Sequence, residues 1–324
     1  MEFSFNLEHK TITKMKIKNI HLLLLLASFW GPSFLFIKIA VEEVPPVMLA
    51  ALRIGTGALI LNLLLLLQKN RLPLNIDFWK KTFIAGFFAQ AFPFIMINWG
   101  EQYVDSSLAS ILNGLVPIFT IVLAHFMIAD EKLSGQKLKG VILGFLGLIV
   151  LVLPNIIEGV EGSFWGIIAI TSAALSYGIG LAYIRKHLVN IPSFQAPAAQ
   201  LLSVSIYLIP LAFFMYPSFD FAVLQTQTIS SIMILGVFGT AIAFVVYFKL
   251  IERSSAGYAS LVTYLMPIYG VVLGVTILDE VLTVWTLLGA MLILLGIRLT
   301  KKTNTISVPQ FGKNIDPALY TKFR

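Results

Sequence analysis

The chain has no cysteine and very little charge. The absence of cysteine from its 324 residues excludes thiol redox chemistry, iron–sulfur clusters and cysteine-ligated zinc. Charged residues make up 12% of the chain, whereas a soluble domain carries about 25%. Hydrophobic residues make up 58%, and the mean hydropathy is +0.88. Because a water-soluble fold of this composition would expose much apolar surface, the composition argues against a soluble enzyme.

Recognisable catalytic and metal-binding patterns are also missing. The four histidines do not cluster in the sequence, and neither an HExxH nor a GxSxG motif occurs. An intramembrane enzyme would need such a constellation. The sequence therefore predicts a protein that is not an enzyme and that has no metal site, no cofactor and no catalytic residues.

Apolar residues are instead grouped in long blocks. A bilayer core about 30 Å thick requires roughly 20 apolar residues in helical conformation. The loops between the blocks are too short to hold a soluble domain, so the sequence predicts an all-α polytopic membrane protein with ten transmembrane helices. The blocks are 19–41, 46–67, 82–99, 106–128, 138–154, 163–185, 194–215, 230–251, 256–278 and 282–299.

Charges alternate between the loops and indicate an orientation. Lysine and arginine precede the first block and follow the even-numbered ones, as with Lys69 and Arg71. The loops after odd-numbered blocks carry acids and no lysine or arginine, as with Glu42 and Glu43. Since basic loops stay in the cytoplasm, both termini are predicted to be cytoplasmic. The net charge of +7 is then a topology signal, and no nucleic-acid partner is expected.

The two halves of the chain repeat each other. The domains predicted are a basic cytoplasmic segment (1–18), two five-helix repeats (19–154 and 163–300) and a cytoplasmic tail expected to be disordered (301–324). Because five is odd, the second repeat enters the membrane from the opposite side, as in many carriers with a site near the midplane. A pore or channel for small solutes remains the alternative. Matching pairs are Ala109-Ser110 with Ala259-Ser260, Pro117 with Pro267, Asp130-Glu131 with Asp279-Glu280, Gly86 with Gly236, and Pro45 with Pro192.

These features resemble the EamA family of the drug/metabolite transporter superfamily, over about residues 19–300. The resemblance implies a ten-helix carrier of the bacterial inner membrane that exports amino acids or related small metabolites. It also implies a cavity between spans one, three, four, six, eight and nine. One departure is that residues 249–251 of the second half do not repeat the motif Trp99-Gly100-Glu101 of the first half. The residues that carry the resemblance are Trp30-Gly31, Lys38, Arg53, Trp99-Gly100-Glu101, Asp105-Ser106, Asn113, Pro117, Asp130-Glu131 and the second-half equivalents Pro267, Asp279-Glu280, Gly289 and Gly296.

Polar, aromatic and proline residues near the middle of these spans are the candidates for the substrate cavity. Proline leaves a carbonyl without its helical partner, and in a bilayer that carbonyl must be met by protein or cavity water. Mirrored prolines therefore predict two kinked helices that line one cavity. The alternative is that these residues serve only helix packing. The candidates are Trp30, Gln90, Asn113, Pro117, Tyr177, Thr240, Tyr264 and Pro267.

Four charged residues are candidates for an outer vestibule or gate: Lys38, Arg53, Glu101 and Asp105. Lys38 either reaches the headgroups or pairs with Glu42, or else it gates the substrate path. Arg53 lies deeper, where an unpaired arginine is unfavourable by roughly 2.5–3.5 kcal/mol. It is either a structural partner of an acid or of helix-end carbonyls, or a cation that meets a substrate carboxylate.

Acidic residues are absent from the central third of every span. Proton pumps place a carboxylate there, so the sequence favours a facilitator or exchanger over an obligatory proton antiporter, with Glu101 as the best remaining coupling candidate. Glycines in spans five and ten indicate close helix contact, either within one chain or at the seam of a possible homodimer.

Overall fold

The computed structural model describes residues 19–128, 133–158, 161–188, 195–253 and 262–301. Within these ranges the regular structure is helical, without a strand. The predicted segment 1–18 and tail residues 302–324 lie outside the described ranges. In chain order the helices are α1 (Asn19–Ala40), α2 (Pro46–Leu67), α3 (Ile76–Gly100), α4 (Ser106–Met127), α5 (Gly135–Glu158), α6 (Glu161–His187), α7 (Gln195–Met215), α8 (226–253), α9 (Val262–Ile277) and α10 (Val284–Lys301).

Eight of the described helices, α1 to α8, are long and apolar enough to cross a bilayer, and α9 and α10 are shorter apolar helices. The beginning of the predicted ninth span, at 256, lies outside the described residues. Large apolar side chains such as Leu59, Phe126 and Phe214 point outward, where lipid rather than water would solvate them. These features identify a multi-pass membrane protein.

Several helix ends differ from the expected blocks, among them the beginning of α3 and the end of α5. Helix α3 begins at Ile76, not at residue 82, because Asn75 accepts a hydrogen bond from the backbone N–H of Asp77 and so caps a polar first turn. An ion pair of 2.5 Å between Lys81 and Asp77 supports that turn. Helix α5 continues through Pro154 to Glu158, beyond the expected end at residue 154. Apolar blocks locate the part of a helix inside the bilayer, and these helices extend past it.

Helices of the two halves pair in a reciprocal pattern. Helix α1 packs on α8, and α6, its counterpart, packs on α3, the counterpart of α8. Likewise α2 packs on α8, while α7 packs on α3. Helices α2, α4 and α5 each pack on their own counterparts α7, α9 and α10. Such an exchange of partners is expected when two halves have the same internal structure and face each other.

Irregular turns interrupt four helices. Helices α3 and α8 contain π-helical turns at Phe87–Ala91 and Val237–Ile242. They follow Gly86 and Gly236, which occupy matching places in the two repeats. Helix α1 breaks at residues 31–32 and α4 at residues 114–115. Since π turns leave the regular backbone hydrogen-bond pattern and are frequent at functional sites, their positions are candidates for the site.

Helices α5 and α10 make a close glycine-lined contact within the chain. A Cβ atom added to Gly140 would meet the carbonyl of Gly296, and one added to Gly147 would meet the carbonyl of Gly289. The expectation of close contact is therefore confirmed, and these glycines serve packing inside one chain. The homodimer stays a prediction that does not depend on them.

We expect Gly147→Ala to destabilise the protein. Its methyl group would lie 2.8 Å from the Gly289 carbonyl oxygen and 2.9 Å from the backbone nitrogen of Ile293, and backbone cannot turn aside as a side chain can. Overpacking of this kind costs about 1–3 kcal/mol. Thermal unfolding in detergent measures the effect. Gly135→Ala is the matched control, because no atom lies within 4 Å of its added Cβ; equal melting temperatures for both variants would contradict the close contact.

Candidate functional site

One end of the bundle gathers acidic residues, and we call it the acidic end. It contains Glu42, Glu43, Glu101, Asp105 and Glu280. Contacts between loops hold it together: the Glu43 carboxylate accepts from the backbone N–H of Gln225 at 3.0 Å, and Lys38 reaches the loop after α3. The polar site extends from this end into the centre of the bundle.

Arg53 connects the two repeats in the centre. Its side chain is 5% exposed, and its Nε donates to Oγ1 of Thr240 at 3.0 Å. Its Nη2 donates to the carbonyl of Gly239 at 3.3 Å. Both acceptors belong to the π turn of α8, and the Phe94 ring lies 4.1 Å from Cζ in a cation–π contact. We call these four residues the Arg53 bridge.

The Arg53 bridge has no acidic member. No described carboxylate lies within ion-pair distance of the guanidinium. Of the two structural alternatives from the sequence, the structure supports a neutral-oxygen partner and not an acid. The buried guanidinium therefore keeps its net positive charge. Some of its five N–H donors have no acceptor among the described residues.

A second polar bridge mirrors the first. Gln90, in the π turn of α3, donates from Nε2 to Oε1 of Gln200 in α7 at 2.9 Å. Gln90 matches Thr240 by the same 150-residue offset that relates Gly86 to Gly236. Gln200 matches Arg53 by the 147-residue offset of Pro45 and Pro192. The two repeats thus present one cationic and one neutral bridge, which makes the centre asymmetric.

Gln200 was missed in the sequence analysis, although the proline offset could have found it. Gln90 Oε1, which is buried, accepts no hydrogen bond from the described residues, and the same holds for Oδ1 of Asn113. These two amide oxygens are acceptor positions open to a ligand.

Lys38 has partners that the sequence did not indicate. Its Nζ donates to the carbonyls of Glu101 and Val104, both at 2.8 Å, where the sequence offered Glu42 as a partner. The pairing with Glu42 was wrong because the loop after α3 places two backbone carbonyls 2.8 Å from Nζ, whereas Glu42 does not lie within ion-pair distance. Lys38 thereby fixes this loop, which leads from Glu101 to α4.

Glu280 closes the acidic end across the repeats. One carboxylate oxygen accepts from the N–H and Oγ of Ser106, both at 2.7 Å, and the other accepts from the N–H of Ser107 at 2.9 Å and from its Oγ. Asp105 occupies the N-cap position of α4 without capping it. Glu280 from the second repeat supplies the cap instead, with a charge that suits a helix N-terminus. We call Glu280, Ser106 and Ser107 the Glu280 clamp.

The backbone beyond α9 positions the clamp. The Gly274 carbonyl accepts from the N–H groups of Leu278 and Glu280, both at 3.1 Å, and Asp279 between them has φ of 55°. This left-handed residue reverses the chain and turns the Glu280 side chain toward α4. Gly270 and Gly274 of α9 lie against Ser110 and Ser107 of α4, so the two helices are in close contact there. A cleft of about 220 Å³ beside the clamp includes Asp105 and Trp285 in its lining.

Glu101 is fully buried directly after α3. It is 0% exposed, and neither carboxylate oxygen has a hydrogen-bond partner among the described residues. Burial raises the pKa of the Glu101 carboxyl well above its usual range, against the opposing charge of Lys38 and with a smaller upward contribution from Glu280. In this conformation the neutral acid therefore persists to a higher pH than it does in an exposed glutamate.

The remaining candidates lie in different surroundings. Trp30 packs on Tyr247 and Phe244 of α8, with ring centroids 5.4 and 6.2 Å apart, and Tyr177 of α6 interacts electrostatically with Arg53. Pro117 lies in the first turn of the second part of the broken helix α4, which begins at Val116.

Pro267, the counterpart of Pro117 in the second repeat, is buried inside the continuous helix α9. The two prolines have different local surroundings: α4 breaks before its proline, whereas α9 continues through its own. Two kinked helices that line one cavity stay a prediction. Tyr264 has a side chain outside what the structure describes.

Comparison with known proteins places this geometry in a family. The EamA-like transporter family matches residues 18–153 and 164–301. An E. coli protein described as a probable amino-acid metabolite efflux pump is 29% identical, covering 87% of this chain and 94% of that protein. The uncharacterized transporter YoaV of Bacillus subtilis is 27% identical, covering 83% of this chain and 91% of its own.

A solved structure shares the fold. It has a TM-score of 0.59 at 17% sequence identity and covers 89% of this chain and 97% of the other. The family matches nearly the entire helical region, once in each repeat, so the resemblance noted from the sequence is confirmed. This chain belongs to the EamA-like transporter family.

Proposed function

We propose that this protein is a secondary transporter that exports amino acids or related small metabolites across the bacterial inner membrane by alternating access. Ten transmembrane helices form two inverted five-helix repeats, with the acidic end outside and both termini in the cytoplasm. The reciprocal helix pairing supports the repeats, and the alternation of basic and acidic loops supports the orientation. The E. coli relative described as an amino-acid metabolite efflux pump supports the substrate class.

The Arg53 bridge is the observation that carries the proposal. A cation held between the repeats by neutral oxygens, without a described acidic partner, retains charge for a substrate carboxylate. The bridge also joins the elements that must move past each other when one repeat rocks against the other. A solute bound there contacts both repeats and can bias their relative position.

Two buried acceptors in the bundle suit an amino group. Gln90 Oε1 and Asn113 Oδ1 are buried amide oxygens without described donors, and an ammonium group provides donors only. The aromatic groups Trp30 and Phe94 supply an apolar wall. One positive group and two neutral acceptors fit a zwitterion better than a multivalent ion.

Counterflow in proteoliposomes tests the proposal. Vesicles loaded with unlabelled amino acids are diluted into a trace of one labelled amino acid, and we expect transient accumulation of label, because a single alternating site exchanges inner for outer substrate. Protein-free vesicles are the control.

Failure of every amino acid to accumulate with folded, inserted protein would contradict the amino-acid assignment. A sustained conductance in the same vesicles would favour the pore or channel. The chain's relatives are transporters and not enzymes.

A further inference from the structure

The Glu101 carboxyl is a buried titratable group to which the proposed function gives no task. Its backbone is fully engaged: the N–H donates to the carbonyl of Ile97 at 2.9 Å, and its own carbonyl accepts from Lys38. Its two side-chain oxygens, in contrast, are sealed from solvent without a described donor. Buried polar atoms in folded proteins nearly always have partners, so this carboxyl needs a chemical explanation.

Five ionisable groups surround it on the helices and loops packed there. Lys38 on α1 directs its amine to two carbonyls, and Arg53 on α2 directs its guanidinium to α8. Tyr177 on α6 lies beside Arg53. Asp105, before α4, and Glu280, before α10, are acids. Neither cation is within ion-pair distance of the Glu101 carboxylate among the described residues, so the ionised form would be buried without hydrogen bond or partner.

Burying a carboxylate in that state is strongly unfavourable, and such a group neutralises instead. A proton on one of the two oxygens removes this charge, so the neutral acid is the form that fits the sealed site. Closure of the acidic end and protonation of Glu101 are then linked: the closed end, held by the Glu280 clamp, requires the neutral acid. When water reaches the carboxyl, the ordinary ionised form returns.

We propose that Glu101 is the proton-binding site that couples export to the inward movement of protons. Resting on the proposed function, the cycle takes one proton from the outside onto the carboxylate as the empty carrier closes its acidic end. When the basic end opens, water from the central cavity reaches the carboxyl from that side, the acid releases its proton into this water, and the substrate then binds. One proton enters for each solute exported. The sequence favoured a facilitator or exchanger, because no acid lies in the middle of a span. The proposed proton site differs from that expectation, because Glu101 lies at the end of a span.

The pH dependence has a definite sign. A carboxyl whose pKa is higher in the closed than in the hydrated state binds more protons when closed. Proton binding makes its full contribution to the free energy of closing below the ordinary glutamate pKa. This contribution is progressively lost as the pH rises from there toward the raised pKa. Alkaline conditions outside should therefore keep the acidic end open.

The test compares wild type with Glu101→Gln, which mimics the neutral acid and cannot release a proton. Glu42→Gln is the matched control, because Glu42 is an exposed acid at the same end. Infrared spectra of purified protein at neutral pH should show the carbonyl band of a protonated carboxyl in wild type and in the control, but not in Glu101→Gln. This readout requires no substrate.

Transport provides the second readout. One unit of pH gradient can drive a one-proton exchanger to about a tenfold solute gradient, and we expect this accumulation in wild type and in Glu42→Gln. In Glu101→Gln, gradient-driven accumulation should be lost while counterflow at equal pH persists. Glu101→Asp retains a carboxyl and should retain the coupling with a shifted band, which keeps the test available if Glu101→Gln does not fold.

Two results would overturn the proposal. One is a spectrum without the band in wild type, or with the same band in Glu101→Gln. The other is gradient-driven accumulation that survives in Glu101→Gln. Absence of counterflow from wild type, with the band present and specific to Glu101, would instead count against the proposed amino-acid substrate and leave the proton site standing.

Discussion

Arg53→Lys should reduce the initial rate of counterflow by about 10- to 100-fold, which corresponds to the loss of one hydrogen bond to a charged group, about 1.5–3 kcal/mol. Lysine keeps the positive charge, but a single ammonium cannot reproduce the planar fork that reaches Thr240 and Gly239 while stacking on Phe94. We therefore expect the loss to arise from geometry and not from charge.

The matched control is Arg71→Lys, the same chemical change at an exposed arginine, which should leave the rate unchanged. Thr240→Val removes the hydroxyl acceptor with little change of shape and should show a loss in the same direction. Size-exclusion profiles and thermal unfolding in detergent separate an effect on transport from an effect on folding. A wild-type rate in Arg53→Lys would show that the bridge is a packing device.

Glu280→Gln should open the acidic end. The carboxylate accepts four hydrogen bonds from Ser106 and Ser107 and places a negative charge at the start of α4. An amide has one oxygen acceptor, and its NH₂ group would face backbone donors. Because charged hydrogen bonds contribute about 1.5–3 kcal/mol each, we expect the equilibrium between the closed and open states to shift at least about tenfold toward the open state, whose small population rises accordingly.

Thiol labelling measures this opening cleanly, since the chain has no cysteine of its own. A single cysteine placed by Ser110→Cys lies in the buried contact between α4 and α9 and should react at least about tenfold faster in Glu280→Gln, following the population change above. Asp279→Asn is the matched control: it removes one charge at the adjacent residue, which is exposed and has a left-handed backbone that asparagine tolerates. Equal labelling rates in Glu280→Gln and Asp279→Asn would show that something other than the clamp closes this end.

Features that depend on the order of residue types were predictable from the sequence. The family, the apolar helices and a close helix contact at the glycines of α5 and α10 all follow from spacing repeated along the chain. The sequence left open whether that contact lies within one chain or between two copies, and the structure places it within one chain. The importance of Arg53 was also predictable, because a buried cation must have partners somewhere. Its actual partners were not, since they lie in a π turn, and no residue in Val237–Ile242 marks that turn in the sequence.

The acidic end shows a different limit. The sequence placed Glu280 in a loop with other acids, where an exposed charge needs no explanation, and proposed Asp105 as a gate residue. The structure leaves Asp105 exposed and gives the N-cap of α4 to Glu280. Which residue caps α4 depends on how α9 ends against α4. This is a long-range contact, and capping rules based on neighbouring residues in the sequence do not predict it.

The Arg53 bridge also has a consequence for biosynthesis. Thr240 follows Arg53 by 187 positions, which at 5–20 residues per second is roughly 10–40 s of translation. During this interval the first repeat must lodge a buried guanidinium in or beside the membrane before its oxygen partners exist. We therefore expect the nascent first half to stay near the insertion machinery, where water or protein can solvate the charge. It should leave this machinery only once α8 has emerged.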